Sequence, residues 1–405
     1  MRNLTFLLLV TAAPILSQSF ALKEHDTVVF YGDSITDQRL YTTFAETFVV
    51  TRFPRLQVTF VHSGWGGDRV TGGGGGPIDL RLRRDVLPYK PTVVTIMLGM
   101  NDGRYRAFDE QLFRDYSTGF ETIVRNLKGS IPNLRITVIE PSPYDDVTRP
   151  PLFEGGYNAV LVRYSEWLKT LAAREHLDVA DLNTPVVAML EKAKARDAKT
   201  AERILPDRVH PGAAGHLIMA EALLRSWNAP AVVSAVEIEG GKLKRAENTT
   251  VTNLDGLTWT EFDRALPMPV DPKDPVVALA VASSDFIETL NQQTLRVSGL
   301  DEGTYTLKID GDAVGDFPSA QLAAGINLAT MATPMTKQAA EVHALTLKHN
   351  NVHFFRWRTL QTTLEADGFN AGPSEASLDA LEDQIVAAQR MAALPKPRRY
   401  ELVKK

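Results

Sequence analysis

Thr27-Val28-Val29-Phe30-Tyr31-Gly32-Asp33-Ser34-Ile35 decides the fold. The run is β-branched and apolar without alternation, which suits a strand covered on both faces rather than one with a wet side. It breaks on a glycine, and the Asp-Ser pair behind it is of the type that opens a helix. The same pattern recurs in Gln57-Val58-Thr59-Phe60-Val61, in Thr92-Val93-Val94-Thr95-Ile96-Met97-Leu98 and in Arg135-Ile136-Thr137-Val138-Ile139. A weaker copy is Leu177-Asp178-Val179-Ala180. Helical periods lie between them; Tyr157, Val160, Leu161, Tyr164, Leu168 and Leu171 form an apolar stripe at spacings of three and four. Strands alternating with helices over residues 22–230 predict an α/β domain built on a doubly wound parallel sheet.

Past residue 230 the style changes. Alternating stretches such as Thr304-Tyr305-Thr306-Leu307-Lys308-Ile309, running into Asp310-Gly311, read as strands and turns, so residues 231–330 form a smaller β-rich module. Residues 331–405 read as C-terminal helices with a tail. The basic stretch Pro395-Lys396-Pro397-Arg398-Arg399 reads as poorly ordered, and the five glycines Gly72 to Gly76 read as a mobile loop. At the other end, Arg2 precedes an apolar run from Leu4 to Leu16, and Ser19 and Ala21 place small residues at a cleavage site. Residues 1–21 therefore read as a signal peptide, and the mature protein as secreted or periplasmic. The apolar run is short for a bilayer span and holds Pro14, so stable membrane insertion is not expected.

The 405 residues carry 44 Lys plus Arg against 49 Asp plus Glu, a net charge of −5. That balance lacks the basic field that drives nucleic-acid binding. Cysteine is absent, which excludes disulfides, thiolate metal sites and thiol nucleophiles. In an open α/β sheet ligands bind beyond the carboxyl ends of the strands, so the residues just after each strand carry the search for chemistry. Gly32-Asp33-Ser34 follows the first strand and His62-Ser63-Gly64-Trp65-Gly66-Gly67-Asp68 closes the second. Gly99-Met100-Asn101-Asp102 follows the third, and Asp207-Arg208-Val209-His210 opens the last helix of the domain. Singly, each reads as well as a turn or a helix cap. Asp and His three apart can support each other, the carboxylate fixing the tautomer of the ring.

In this order, the four blocks resemble those of the SGNH (GDSL) hydrolase family, over residues 27–228. The resemblance implies a flavodoxin-like three-layer α/β/α domain and a serine esterase that needs no cofactor and no metal. It implies Ser34 as nucleophile, His210 as general base and Asp207 as its orienting partner. The oxyanion hole would comprise the backbone N–H groups of Ser34 and Gly67 and the side-chain amide of Asn101. The second block departs from the family pattern, with His62 near the place of the usual asparagine and the bulky Trp65 inside the glycine turn. Resemblance and export together imply short acyl esters, acetyl foremost, on carbohydrate. A lipase, lysophospholipase or acyltransferase would use the same residues, and a carbohydrate-binding protein on a spent scaffold is the non-enzymatic alternative.

Asp33, Trp65 and Tyr144, with Tyr105 beside them, are candidates for contact with substrate, the aromatics by stacking on sugar. His349-Asn350-Asn351-Val352-His353-Phe354-Phe355-Arg356-Trp357-Arg358 reads as a docking helix whose Phe and Trp are core, with a contribution to the cleft as the alternative. His349 and His353 lie one turn apart, but two histidines without a third ligand are ordinary packing residues. The β-rich module is expected to flank the cleft. Nothing in the sequence fixes the oligomeric state.

Overall fold

The computed structural model describes residues 19–405, so residues 1–18, which hold most of the expected signal peptide, lie outside the described residues. Five parallel strands form the first sheet: Thr27–Gly32 (β1), Thr59–Gly64 (β2), Val93–Met97 (β3), Arg135–Ile139 (β4) and Asp178–Ala180 (β5). Their order is β2-β1-β3-β4-β5, a doubly wound arrangement whose direction of winding reverses between β1 and β3. Val28, Val29, Phe30 and Tyr31 are all fully buried, as the unbroken apolar run predicts. Ser34–Asp37 (α1) and Leu40–Arg52 (α2) follow β1, and Ile78–Asp85 (α3), Glu110–Ser130 (α4), Gly156–Glu175 (α5), Thr184–Arg196 (α6) and Ala213–Ser226 (α7) complete the layers.

Gly64 is required by close approach. A Cβ there would sit 2.2 Å from the main-chain nitrogen of Asp37, so only glycine lets β2 and α1 meet this closely. That contact brings the ends of β1 and β2, and the loops that leave them, to one place beside β3.

The second half holds two further sheets. Val232–Glu239 (β6), Lys242–Glu247 (β7), Gln292–Ser298 (β10) and Ile326–Asn327 (β13) form one, in the order β13-β10-β6-β7. Thr249–Asp255 (β8), Thr258–Asp263 (β9), Thr304–Ile309 (β11), Asp312–Pro318 (β12) and Arg398–Lys404 (β14) form the other, in the order β8-β9-β14-β11-β12. Arg398 and Arg399, the end of the stretch expected to be poorly ordered, thus open the middle strand of a five-stranded sheet. Its alternation drives Tyr400 and Leu402 into a core shared with Trp259, Leu307 and Ile309. Met268, Val277, Phe286 and Leu290, from the stretch assigned to the β-rich module, pack instead on the core of the first sheet.

Two long helices, Pro334–Phe354 (α8) and Gly372–Ala393 (α9), lie against each other and against α2. After Phe354 the chain widens into a π-helical turn over Phe355–Gln361. Among the described residues no helix is long and apolar enough to cross a membrane.

Candidate active site

Ser34 is the first residue of α1, held at the carboxyl end of β1 by the cap before it: Asp33 accepts the Ile35 N–H at 3.0 Å. Asp33 is 1% exposed, and burial, with Asp102 and Asp68 nearby, pushes its carboxyl up to about 7. It therefore serves the turn and lies below the surface a substrate would touch. Across from Ser34, its Oγ lies 2.8 Å from His210 Nε2, and His210 Nδ1 lies 2.7 Å from Asp207 Oδ2. The other Asp207 oxygen accepts the N–H groups of Val209 at 3.0 Å and of His210 at 2.7 Å. Although burial opposes it, these bonds hold the Asp207 carboxyl below the usual range. An ionised Asp207 fixes the proton on Nδ1, which leaves the Nε2 lone pair facing the serine hydroxyl.

The turn between these two residues puts Arg208 at φ 74, a left-handed conformation. Its guanidinium offsets that strain by donating to the carbonyls of Pro150 at 2.9 Å and Asp145 at 3.3 Å. Sequence reasoning passed over Arg208, whose neighbours lie about sixty residues away. Behind Ser34, His216 accepts the Tyr41 N–H and donates to Gln38, whose amide reaches the Pro211 carbonyl at 3.4 Å. Burial lowers the His216 pKa to about 3, so this support stays uncharged.

The second loop carries Gly67 past the C-terminal end of α1, where the Gly66 N–H donates to Asp37 at 3.2 Å. The Gly67 φ of 75 demands glycine, and open space surrounds the position of a Cβ. Asn101, after β3, is held at both ends of its amide: Nδ2 donates to the Asp68 carbonyl at 3.0 Å, and Oδ1 accepts from the Tyr105 hydroxyl at 2.8 Å. One N–H of Nδ2 is left over. Among the described residues no protein acceptor takes the main-chain N–H of Ser34 or of Gly67.

A family model described as the GDSL-like lipase/acylhydrolase family matches residues 30–218. Residues 30–218 form an SGNH (GDSL) hydrolase domain. The chain is similar to the acetylxylan esterase of Geobacillus stearothermophilus, with 24% identity over 220 residues, 49% of this chain and 93% of that one. Among solved structures it is similar to one described as a gut microbial diltiazem-metabolizing enzyme, with 25% identity. That match covers 95% of this chain and 98% of the other at a TM-score of 0.81, so it includes the β-rich and helical second half. The chain is therefore a carboxylic ester hydrolase, and its parallel sheet is the SGNH sheet.

Three aromatic candidates of this hydrolase differ in what they offer a ligand. Trp65 is 9% exposed; Arg81, Arg84 and Arg358 lie over its ring, and Trp357 meets it edge-on with centroids 5.8 Å apart. The protein has thus used the faces that would stack on sugar. Tyr144 is buried against Tyr157. Tyr105, at 38%, is the exposed one. The glycine run is no mobile loop: Gly72–Gly73 pairs with Gly76–Pro77 as a tight ribbon, and Gly75 lies so close to Trp65 and Arg81 that a Cβ would meet both at 2.6 Å.

His62 does not turn toward this cleft; its ring meets Thr42 at 2.7 Å and Glu46 at 3.3 Å. Glu46 also faces His349 at 3.4 Å, and Glu382 lies between His349 at 3.6 Å and His353 at 3.5 Å. His349 and His353 thus lie buried against the carboxylates of Glu46 and Glu382, joining α8, α9 and α2. Asn351 is exposed elsewhere on α8. The π-helical turn reaches the Trp65 loop through Trp357 and Arg358.

Proposed function

We propose that this hydrolase is an exported serine esterase that removes short acyl groups, acetyl foremost, from carbohydrate. The observation that carries the serine mechanism is the chain Ser34–His210–Asp207, with Oγ 2.8 Å from Nε2 and Nδ1 2.7 Å from the Asp207 carboxylate. Ser34 Oγ attacks the ester carbonyl carbon while its proton passes to His210 Nε2. Asp207 stabilises the imidazolium that forms. The carbonyl oxygen, now negative, takes hydrogen bonds from Ser34 N, Gly67 N and Asn101 Nδ2. Collapse breaks the bond to the alcohol, which leaves with the proton from Nε2. Water then repeats the cycle on the acyl-serine and releases the acid.

Carbohydrate as the alcohol is supported by the similarity to an acetylxylan esterase and by the exposed Tyr105 ring beside Asn101. Export is supported by the composition of residues 2–21. Leu22, the residue after the expected cut, is buried, whereas Phe20 stacks on Phe53 with centroids 4.6 Å apart, a contact that the cut removes. N-terminal sequencing of protein recovered outside the cell tests this; a start at Leu22 is expected, and a retained Met1 would overturn it.

For activity, p-nitrophenyl acetate, butyrate and octanoate are compared with acetylated xylo-oligosaccharides. Acetyl turnover is expected to exceed octanoyl turnover, with acetate released from the oligosaccharide. Ser34→Ala is expected to remove nearly all of it with folding intact. Activity of that variant within tenfold of the wild type rejects the nucleophile, and no turnover of any acyl ester rejects the esterase.

A further inference from the structure

We propose that the C-terminal helical region completes the oxyanion hole from behind, with Trp357 as a positioning residue acting through Asp85, Arg81 and Asp68. The proposal rests on the reading of Gly67 and Asn101 as oxyanion donors. Asp68 is the point on which both donors depend. It directly follows Gly67 in the chain, and its N–H turns back to the Trp65 carbonyl at 3.1 Å. Its carbonyl holds the Asn101 amide at 3.0 Å, and its carboxylate accepts Arg81 Nε at 2.6 Å. Moving Asp68 therefore moves two of the three donors together.

Arg81 is fully buried, an expensive place for a guanidinium unless every donor is used. It bonds Asp68, pairs with Asp85 on its own helix and donates to the Ser63 carbonyl at the end of β2 at 2.8 Å. Its plane lies 4.9 Å from the Tyr31 ring centre and 5.2 Å from that of Trp65. Asp85, also fully buried, then needs donors on both oxygens. Arg84 supplies two, at 2.6 and 2.7 Å, and the Trp357 indole N–H supplies one more at 2.6 Å. That last bond spans 272 residues and joins the π-helical turn to the hydrolase domain. The wider backbone of that turn follows α8 directly, and π-helical insertions of this kind gather at functional sites.

A purely structural tryptophan would contribute packing alone, and its loss would act on stability and on both kinetic constants without pattern. A positioning role acts on the transition state, where the oxyanion is formed. A misplacement of about 1 Å at such a site can cost about 10²-fold. Trp357→Phe keeps the ring and removes the N–H. On p-nitrophenyl acetate, with Ser34 titrated by a fluorophosphonate so that only competent sites count, kcat should fall about 5- to 30-fold with KM within twofold. Trp357→His, which offers a ring N–H again, should recover part of that loss. Asn101→Ala tests the underlying reading, with a loss of about 10²–10³ in kcat. The double variant Asn101→Ala/Trp357→Phe should then be scarcely worse than Asn101→Ala, because both act on one donor set. A full loss for Asn101→Ala with unchanged kcat in Trp357→Phe, or with multiplying effects in the double variant, overturns the proposal and leaves the oxyanion reading standing. No loss for Asn101→Ala overturns the reading itself. If Trp357→Phe does not fold, Asp85→Asn makes the same cut one residue nearer the site and is judged by the same criteria.

Discussion

Replacing Asp207 by asparagine should harm this enzyme more than replacing it by alanine. Asp207 Oδ1 accepts two main-chain N–H groups, and Oδ2 accepts the imidazole Nδ1–H at 2.7 Å. An amide has one oxygen, and the two main-chain donors claim it. The NH2 group is then turned to Nδ1, which must become an acceptor, so the ring proton moves to Nε2 and faces Ser34 Oγ. The base is blocked by its own proton. Alanine removes the charge but leaves the tautomer free. Charge loss can be sized: opposite unit charges about 4 Å apart attract by about 1 kcal/mol in bulk water and about 4 at a protein surface. With the Asp207 side chain 56% exposed and that of His210 36%, the pair belongs toward the weaker end, about 1–2.7 kcal/mol, or a 5- to 100-fold loss in kcat for Asp207→Ala. Asp207→Asn adds the hydrogen bond that holds the wrong tautomer, about 0.5–1.5 kcal/mol, for a further loss of roughly 2- to 13-fold. Initial rates on p-nitrophenyl acetate at pH 8, with melting temperatures to show intact folding, give the order. An asparagine variant equal to or faster than the alanine variant refutes the reasoning.

Tyr105→Phe removes one of the two tethers of the Asn101 amide, and kcat should drop about 2- to 10-fold at unchanged KM; a change in KM alone would make Tyr105 a substrate contact instead. Stability should depend on pH through the α8–α9 cluster. Burial works against the charge on His349, but Glu382 and Glu46 raise its pKa from 6.5 to about 10, so its contribution is complete below pH 6.5 and drains away as the pH climbs toward 10. Glu382, lowered to about 2 by His349 and His353 in spite of its burial, behaves oppositely, losing its contribution as the pH falls from 4.5 toward 2. The melting temperature should therefore decline from pH 7 to 10, and His349→Gln should flatten that decline; parallel curves would show that the cluster does not set it. Deleting residues 396–405 removes β14 from the middle of its sheet and should leave an aggregating protein, and a soluble variant with the wild-type melting temperature would contradict the topology.

Features written within a few neighbouring residues were legible. The first strand could be read because Thr27 to Tyr31 is apolar without a break, and Ser34, Asn101, Asp207 and His210 because each stands in a short block at a strand or helix end. What escaped depends on partners far along the chain. Arg81 and Asp85 sit in an ordinary charged helix until Trp357 arrives. Tyr105 stands four residues after Asn101, a spacing open to reading, yet its hydroxyl rather than its ring proved the more informative part. Trp65 read as a sugar platform because nothing nearby shows that three arginines and Trp357 cover it. Composition misled twice: five glycines suggested mobility where Trp65 and Arg81 need close backbone, and Pro395 to Arg399 hid a strand whose inward residues are only Tyr400 and Leu402.

The place of β14 in its sheet has a consequence for synthesis. Residues 398–404 lie between β9 and β11, yet they begin to leave the ribosome 89 residues after the end of β11. The five parallel strands of the hydrolase domain can gather as soon as residue 226 has emerged, while β9 and β11 must wait with their inner edges unpaired. During that interval the nascent chain carries an open slot of seven residues, Arg398 to Lys404, that any passing extended segment could enter. A ribosome stalled anywhere between residues 320 and 397 would therefore hold a folded first half joined to an adhesive second one, and translation speed over that stretch becomes a determinant of yield.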